Sequence, residues 1–309
     1  MTSAYPSRRC LLAAGGALLG STFVPSLARA ADAWQPVALP QARQRELAST
    51  TTGQRYRIFT SVPDVPAPAA GHPVLYALDG NASFPMLAQM ARTAARRGKA
   101  TGQAAPVIVG IGYVTDDDYH PARGRDYTPP TAGAPATEGG ADRFLDFIEQ
   151  ELKPLVRSLA PIDPRRQALY GHSYGGLCAL HALFTRPAMF HTYIAASPSI
   201  WYGERAVLTG LAGFDRRAGA LAVKPSVLLS AGELEQPSGV GAAPGSREAI
   251  AAQRRMIDEA RELSVKLAAM NGAVSRADFM LFARENHGSA AFPAMARGME
   301  FFLKNISSP

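Results

Sequence analysis

The segment Gly171-His172-Ser173-Tyr174-Gly175 follows the pattern G-x-S-x-G and constrains this chain more than any other stretch. Residues 167–170 before it predict a short buried strand, and the apolar run 176–184 after it predicts a helix. Small residues beside a serine at a strand-to-helix turn permit the strained backbone that lifts the hydroxyl clear of the chain. The segment therefore predicts that Ser173 is a nucleophile on a sharp turn of an α/β protein.

Buried strands and helices alternate along the rest of the chain. Strands are predicted at 54–62, 73–78, 106–111, 192–197, 226–231 and 277–282. Helices are predicted at 84–97, 141–159, 247–270 and 290–304. This alternation predicts an α/β fold, with a mostly parallel central sheet and helices on both faces. The polar stretch 113–140 is predicted as a long loop, of a length typical of functional lids or mobile excursions.

The first thirty residues predict an export signal. Arg8-Arg9 is followed by an apolar run at 10–19 and by the small-x-small site Ala28-Arg29-Ala30. The run is too short to span a bilayer, which takes about 20 residues, although an uncleaved anchor is the alternative. The pattern predicts a twin-arginine-type signal peptide at 1–30, a single domain at 31–309, and a periplasmic or secreted location.

The charge of the predicted mature chain is modest. Losing Arg8, Arg9 and Arg29 with the signal lowers the formal charge from +7 to +4. A mildly basic protein suits an anionic small molecule or an anionic envelope, and the chain has no Lys/Arg run of the kind that binds nucleic acid. A small-molecule partner is therefore expected, without nucleic acid and without membrane attachment after cleavage, while the oligomeric state stays open.

A nucleophilic serine needs a base and an acid that orients the base. In this type of fold these follow in the order serine, acid, histidine. Of six histidines, only His287 lies in a polar turn just after the last predicted strand. The loop after 226–231 offers Glu233 and Glu235 as the acid. A G-x-x-acid spacing favours Glu235, but an extended segment would point both side chains the same way, so both stay candidates.

Two backbone N–H groups should bind the oxyanion that forms when a serine attacks a carbonyl. One is expected from Tyr174, directly after the nucleophile. The other is expected from Asn81, where Gly80 allows a sharp turn after a buried strand; an ordinary β-turn is the alternative. No cofactor is expected, and the acidic run 116–118 is interpreted as a solvated segment rather than a metal site.

Several motifs occur in an order that resembles a known family. They are Leu75-Tyr76-Ala77-Leu78-Asp79-Gly80-Asn81, Arg125-Asp126-Tyr127-Thr128-Pro129, Gly171-His172-Ser173-Tyr174-Gly175-Gly176, Ser197-Pro198-Ser199-Ile200-Trp201, Gly232-Glu233-Leu234-Glu235 and His287-Gly288. Together they look like the esterase-D-like group of α/β-hydrolases. The branch that they resemble contains the periplasmic trilactone esterases of ferric enterobactin and salmochelin.

The resemblance implies a substrate and residues that bind it. The implied reaction is hydrolysis of catecholate siderophore esters, iron-free or iron-loaded, and in some members a Ser–His dyad suffices without an acid. An arginine before Asp-Tyr-Thr-Pro contacts the substrate in that branch, and Arg123 and Arg125 both occupy the region. Trp201 is expected beside the nucleophile. With Tyr127 it would supply apolar area, while arginine supplies charge-assisted hydrogen bonds.

These observations predict a serine esterase that acts through an acyl-enzyme on a catecholate siderophore trilactone, such as a ferric enterobactin-like molecule. Another ester or acyl chemistry on the same scaffold is the alternative within the enzyme class: a short-chain or feruloyl-type esterase, an acyltransferase or an S-formylglutathione hydrolase. A siderophore-binding protein without activity is the alternative from another class. It would not need Ser173, His287 and an acid together.

Overall fold

Eight strands form one sheet in the structure, a computed structural model that describes residues 34, 36–270 and 272–304. In chain order they are Ala42–Ala48 (β1), Arg55–Ser61 (β2), His72–Leu78 (β3), Val107–Tyr113 (β4), Ile162–His172 (β5), Thr192–Ala196 (β6), Ser226–Gly232 (β7) and Arg276–Phe282 (β8). The spatial order is β1-β2-β4-β3-β5-β6-β7-β8. The pairs β1–β2 and β2–β4 are antiparallel and all others are parallel, which confirms the predicted mostly parallel sheet.

Helices pack on both faces of the sheet. They are Gly80–Thr101 (α1), Arg123–Tyr127 (α2), Ala141–Phe147 (α3), Lys153–Leu159 (α4), Tyr174–Thr185 (α5), the single turn Tyr202–Arg205 (α6), Phe214–Gly219 (α7), Arg247–Arg254 (α8), Met256–Ala269 (α9) and Ala291–Lys304 (α10). The chain divides into units 1–38 and 39–309, and every element named here belongs to the second. The signal predicted at 1–30 lies outside the described residues.

Strand alternation divides the core into two layers. In β3, Tyr76 and Leu78 join the layer that contains α3, α4, α5 and α9, whereas Leu75 and Ala77 join the layer beneath α1 and α10. All seven residues of β3 are buried, as expected for a parallel strand covered on both sides. None of the helices in the described ranges is long and apolar enough to cross a membrane.

The structure differs from the predicted elements in three places. The helix predicted at 247–270 is two helices, because Arg255 takes a left-handed conformation with φ 48° between α8 and α9. The edge strand β1 was not predicted, since it is polar and mostly exposed. The segment predicted as a loop at 113–140 contains the short helix α2.

Close backbone packing shapes the turn between β5 and α5. A Cβ atom on Gly171 would lie 2.1 Å from the carbonyl oxygen of Gly175. A Cβ on Gly176 would lie 2.9 Å from the carbonyl oxygen of Ala196 and 3.0 Å from Cα of Pro198. The turn therefore needs glycine at these positions for space, although the backbone angle at neither is left-handed.

Replacing Gly171 by alanine should test this packing. We expect Gly171→Ala to lower the free energy of unfolding by about 3 kcal/mol, because backbone atoms cannot yield as a flexible side chain can. Gly219→Ala is the control, since its Cβ would meet only the Gly272 carbonyl oxygen, at 3.8 Å. Urea denaturation monitored by circular dichroism gives both values. Equal midpoints for the two variants would contradict the packing argument.

Candidate active site

Ser173 lies at the turn between β5 and α5 in a conformation that is rare for a residue with a side chain. Its backbone angles are φ 60° and ψ −118°. The N–H of Ser173 donates to the Ala196 carbonyl oxygen at 3.0 Å, and its own carbonyl accepts from Leu177 N–H at 3.0 Å. These bonds and the glycine packing hold the strained turn, which is the backbone form expected of a nucleophile elbow.

Ser173, His287 and Glu235 form a continuous hydrogen-bonded chain. The Ser173 hydroxyl oxygen lies 3.0 Å from His287 Nε2. His287 Nδ1 lies 2.6 Å from Glu235 Oε2. A carboxylate can only accept hydrogen bonds, so this contact places the imidazole proton on Nδ1 and leaves Nε2 free to accept from the serine. His287 follows β8 and Glu235 follows β7, so parallel strands bring both to one edge of the sheet.

Glu235 is buried and fully partnered. Its Oε1 accepts hydrogen bonds from the Ser197 hydroxyl and from the Gly232 N–H, both at 2.6 Å. Burial acts to raise the pKa of Glu235, but the bonds from His287, Ser197 and Gly232 outweigh it, and the net effect is a lowered pKa. The carboxyl group therefore stays ionised beside the imidazole at neutral pH.

Glu233 lies away from His287. Its side chain accepts the Arg284 backbone N–H at 2.8 Å, on the exposed side of the turn. The expectation of an extended segment here is wrong, because Glu233–Glu235 form a 3₁₀ turn. With three residues per turn, side chains two positions apart point in different directions. The structure thus brings Glu235, and not Glu233, to the histidine.

Tyr174 is the first residue of α5 and Asn81 is the second residue of α1, and both lie at the same edge of the sheet. The first N–H groups of a helix have no acceptor within it, so both can face a ligand. The Asn81 side chain is occupied: Oδ1 accepts from Tyr113 N–H at 2.8 Å, and Nδ2 donates to the Thr115 carbonyl at 3.0 Å. It fastens α1 to the end of β4, which leaves only the backbone N–H for the predicted oxyanion role.

Arg123 forms a two-point ion pair with Asp79. Its Nε and terminal nitrogen each donate to one Asp79 oxygen at 2.8 Å. Burial raises the pKa of Asp79, and the bonds from Arg123 oppose that rise. Tyr127 has no exposed surface, and its hydroxyl accepts the Asp79 N–H at 3.0 Å. Tyr127 therefore supports the Asp79 turn and does not offer a face to a ligand, contrary to expectation.

Arg125 is also paired within the chain. It donates to Oδ1 of the buried Asp126 at 2.8 and 3.0 Å, while the Tyr56 and Tyr113 hydroxyls donate to Oδ2 at 2.9 and 3.0 Å. This network holds α2 against the sheet. Neither of the two arginines that the sequence singles out thus presents an unpaired charge.

Trp201 contacts Tyr174, the residue that directly follows Ser173. The two ring centroids are 6.2 Å apart. A second contact of Trp201, with Arg254, was not predicted. The Arg254 guanidinium carbon lies 4.1 Å from the centre of the indole ring. Arg254 ends α8, far along the sequence in a polar segment, and no local motif marks it.

A cavity of about 130 Å³ lies beside the elbow. It is lined on one side by Asp79, His172 and Tyr170, and on the other by Phe292 and Met295. Burial and the neighbouring His287 lower the pKa of His172 to about 4, so this imidazole is neutral. A larger cavity of about 820 Å³, beside His181, includes no member of the hydrogen-bonded chain.

Within the described ranges, no cluster of three or more His, Cys, Asp or Glu side chains could hold a metal.

The chain is similar to proteins with known or assigned activity. Residues 49–270 match the model of a family described as "Putative esterase". Ferri-bacillibactin esterase BesA of Bacillus subtilis is 38% identical over 275 residues, 86% of this chain and 90% of that protein. Siderophore triacetylfusarinine C esterase of Aspergillus fumigatus is 37% identical over 286 residues, 87% of this chain and 96% of that protein. The crystal structure of BES protein from Bacillus cereus has a TM-score of 0.77 and 32% identity, covering 87% and 97%.

Substituting the two glutamates separately should distinguish their roles. We expect Glu235→Gln to lower kcat for p-nitrophenyl butyrate by about 10³-fold or more, because a neutral amide no longer fixes the proton on Nδ1. Glu233→Gln is the matched control, since its amide oxygen can still accept the Arg284 N–H, and it should stay within about threefold. Equal kcat values for the two variants would support a dyad of Ser173 and His287 alone.

Replacing Arg123 should show, through the free energy of unfolding, how much its ion pair with Asp79 stabilises the protein. Breaking a buried pair by deleting one partner costs about 3–5 kcal/mol, so Arg123→Gln should lower the free energy of unfolding by about 3 kcal/mol. Adding Asp79→Asn should restore part of the loss, because no buried charge is then left alone. Urea denaturation of the single and double variants measures the coupling. Additive losses would refute a direct interaction.

Proposed function

The chain belongs to the esterase family whose model it matches and is a carboxylic ester hydrolase, and from this premise we propose that it cleaves the esters of a catecholate siderophore trilactone through a serine acyl-enzyme. The observation that carries the mechanism is the hydrogen-bonded chain from Ser173 through His287 to Glu235. The substrate class rests on relatives whose names describe siderophore esterases, with bacillibactin, triacetylfusarinine C and enterobactin among their substrates.

Acylation begins when the Ser173 hydroxyl attacks an ester carbonyl. His287 Nε2 takes the hydroxyl proton as the new C–O bond forms, and Glu235 stabilises the resulting imidazolium through Nδ1–H. The imidazolium then donates its proton to the leaving alkoxide as the ester C–O bond breaks. In a trilactone this first step opens the ring, and the opened substrate remains attached to Ser173 as an acyl ester.

The oxyanion of each tetrahedral intermediate needs two donors. In the proposal these are the backbone N–H groups of Tyr174 and Asn81, which lie in the first turns of α5 and α1. The positive ends of both helix dipoles add to the stabilisation. For deacylation, His287 takes a proton from water, the hydroxide attacks the acyl ester, and the proton returns to Ser173 as its bond to the carbonyl breaks.

The predicted signal adds a location to the proposal. A twin-arginine-type signal at residues 1–30 would carry the folded protein to the periplasm or outside the cell. There it would meet a siderophore before the ligand enters the cytoplasm.

Substrate turnover by the predicted mature protein, residues 31–309, tests the proposal. We expect it to hydrolyse ferric enterobactin, iron-free enterobactin and p-nitrophenyl butyrate, with products followed by liquid chromatography and absorbance. Ser173→Ala should lower kcat by about 10⁶-fold, as expected when a nucleophile is removed. A fluorophosphonate should label the wild-type protein and fail to label Ser173→Ala.

The control is Ser158→Ala, since Ser158 lies at the exposed end of α4 and bonds only the Leu155 carbonyl. It should retain full activity and labelling. Hydrolysis of the simple ester without either trilactone would refute the siderophore substrate and leave a short-chain or related esterase. Turnover by Ser173→Ala at the wild-type rate would refute the nucleophile.

A further inference from the structure

Arg254 makes an aromatic contact at the edge of the candidate active site. Its guanidinium carbon lies 4.1 Å from the centre of the Trp201 ring, close enough for the two planes to interact. The rest of the side chain is exposed to solvent at the last residue of α8. A guanidinium stacked on indole keeps its N–H donors at the rim of the stack, where a second ligand can accept from them.

Three other arginines on or against α9 are paired with its carboxylates. Arg205 lies 2.7 Å from Glu259, Arg255 lies 2.6 Å from Glu262, and Arg261 lies 3.9 Å from Asp258. Within the described part of the chain, Arg254 has no such carboxylate partner. The acidic side chains of α9 thus neutralise these three arginines, whereas the charge of Arg254 stays available.

Arg254 also differs in its lack of a carboxylate partner from Arg123 and Arg125, the two arginines that the sequence singles out. Arg123 is held by Asp79 and Arg125 by Asp126, each through two hydrogen bonds. Their charges are largely cancelled before a ligand arrives. Among these three arginines, Arg254 is therefore the one whose charge has not been neutralised by the fold.

Contacts at Tyr202 and Arg205 hold the turn that directly follows Trp201. The three residues 203–205 are left-handed, with φ between 54° and 67°, and form a strained turn. The Tyr202 hydroxyl donates to Glu138 at 2.6 Å on one side, and Arg205 bonds the buried Glu259 on the other. Strained backbone persists only where the surroundings fix it, so these contacts hold the turn that directly follows Trp201.

This surface adjoins the nucleophile through Tyr174. The Tyr174 and Trp201 ring centroids are 6.2 Å apart, and Tyr174 directly follows Ser173. Burial raises the pKa of Tyr174, and the charges of Arg254 and Arg123 act against that rise. Arg254 is therefore linked through Trp201 and Tyr174 to the residue that directly follows the nucleophile.

We propose that Arg254 and Trp201 form a cation–aromatic subsite that binds the anionic, planar face of an iron-loaded catecholate and makes the enzyme prefer the iron-loaded ester. The assignment rests on the proposed function for its substrate. Catechols that coordinate iron(III) have lost their hydroxyl protons and the complex is negatively charged, so they accept hydrogen bonds from a guanidinium. Iron-free catechols keep these protons near neutral pH and gain little from the cation.

Arg254→Gln tests the subsite by substrate preference. A hydrogen bond to a charged group contributes about 1.5–3 kcal/mol, so kcat/KM for ferric enterobactin should fall about tenfold or more. Values for iron-free enterobactin and p-nitrophenyl butyrate should change less than about twofold. Arg254→Lys should be intermediate, because it keeps the charge and loses the planar stack. Arg43→Gln, which removes an exposed charge from the edge strand β1, is the matched control and should have no effect.

A binding measurement separates this proposal from the proposed function. Ser173→Ala and Ser173→Ala/Arg254→Gln are titrated with ferric enterobactin, and tryptophan fluorescence quenching gives Kd. A Kd raised tenfold in the double variant supports the subsite. If the wild-type enzyme cleaves only simple esters, that result refutes the proposed substrate but leaves the evidence for the subsite unchanged. An unchanged Kd, an absence of binding, or an equal loss of kcat/KM for all three substrates overturns the subsite.

Discussion

The backbone of Gly171 passes so close to that of Gly175 that no side-chain atom fits between them. This contact closes the turn from β5 into α5 and holds Ser173 in its left-handed conformation. The groups around the serine then depend on sheet geometry, because parallel strands end at a common edge. Ser197 follows β6, Glu235 follows β7 and His287 follows β8, and hydrogen bonds join all three.

Buried ion pairs form a second level of organisation around this turn. The pair of Asp79 and Arg123 connects the turn after β3 to α2, and Asp126 connects α2 to β2 and β4 through tyrosine hydroxyls. Burying such charges is favourable only when each oxygen is partnered, as it is for Asp126. The polar composition of this region therefore reflects pairing within the protein. It also leaves no unpaired charge on Arg123 or Arg125.

Much of the fold and part of the site could be predicted from the sequence, for reasons that differ between residues. The turn at Ser173 and the position of His287 follow from local pattern and chain order. The choice between Glu233 and Glu235 does not, because three residues of sequence do not distinguish a 3₁₀ turn from a strand. Strand β1 carries no apolar alternation, since one of its sides faces solvent and the other covers little core. Arg254 depends on a contact with Trp201 across more than fifty residues, which no local pattern encodes.

The separation of 114 residues between Ser173 and His287 links the chemistry to the order of folding. Their hydrogen bond exists only after β6, β7 and β8 have joined the sheet in register. Local contacts form early in folding and distant ones later, because a long loop must first be closed. Regained hydrolysis in a refolding protein would thus report that the sheet from β5 to β8 has formed. Recovery of esterase activity would therefore measure the time at which this part of the sheet is complete.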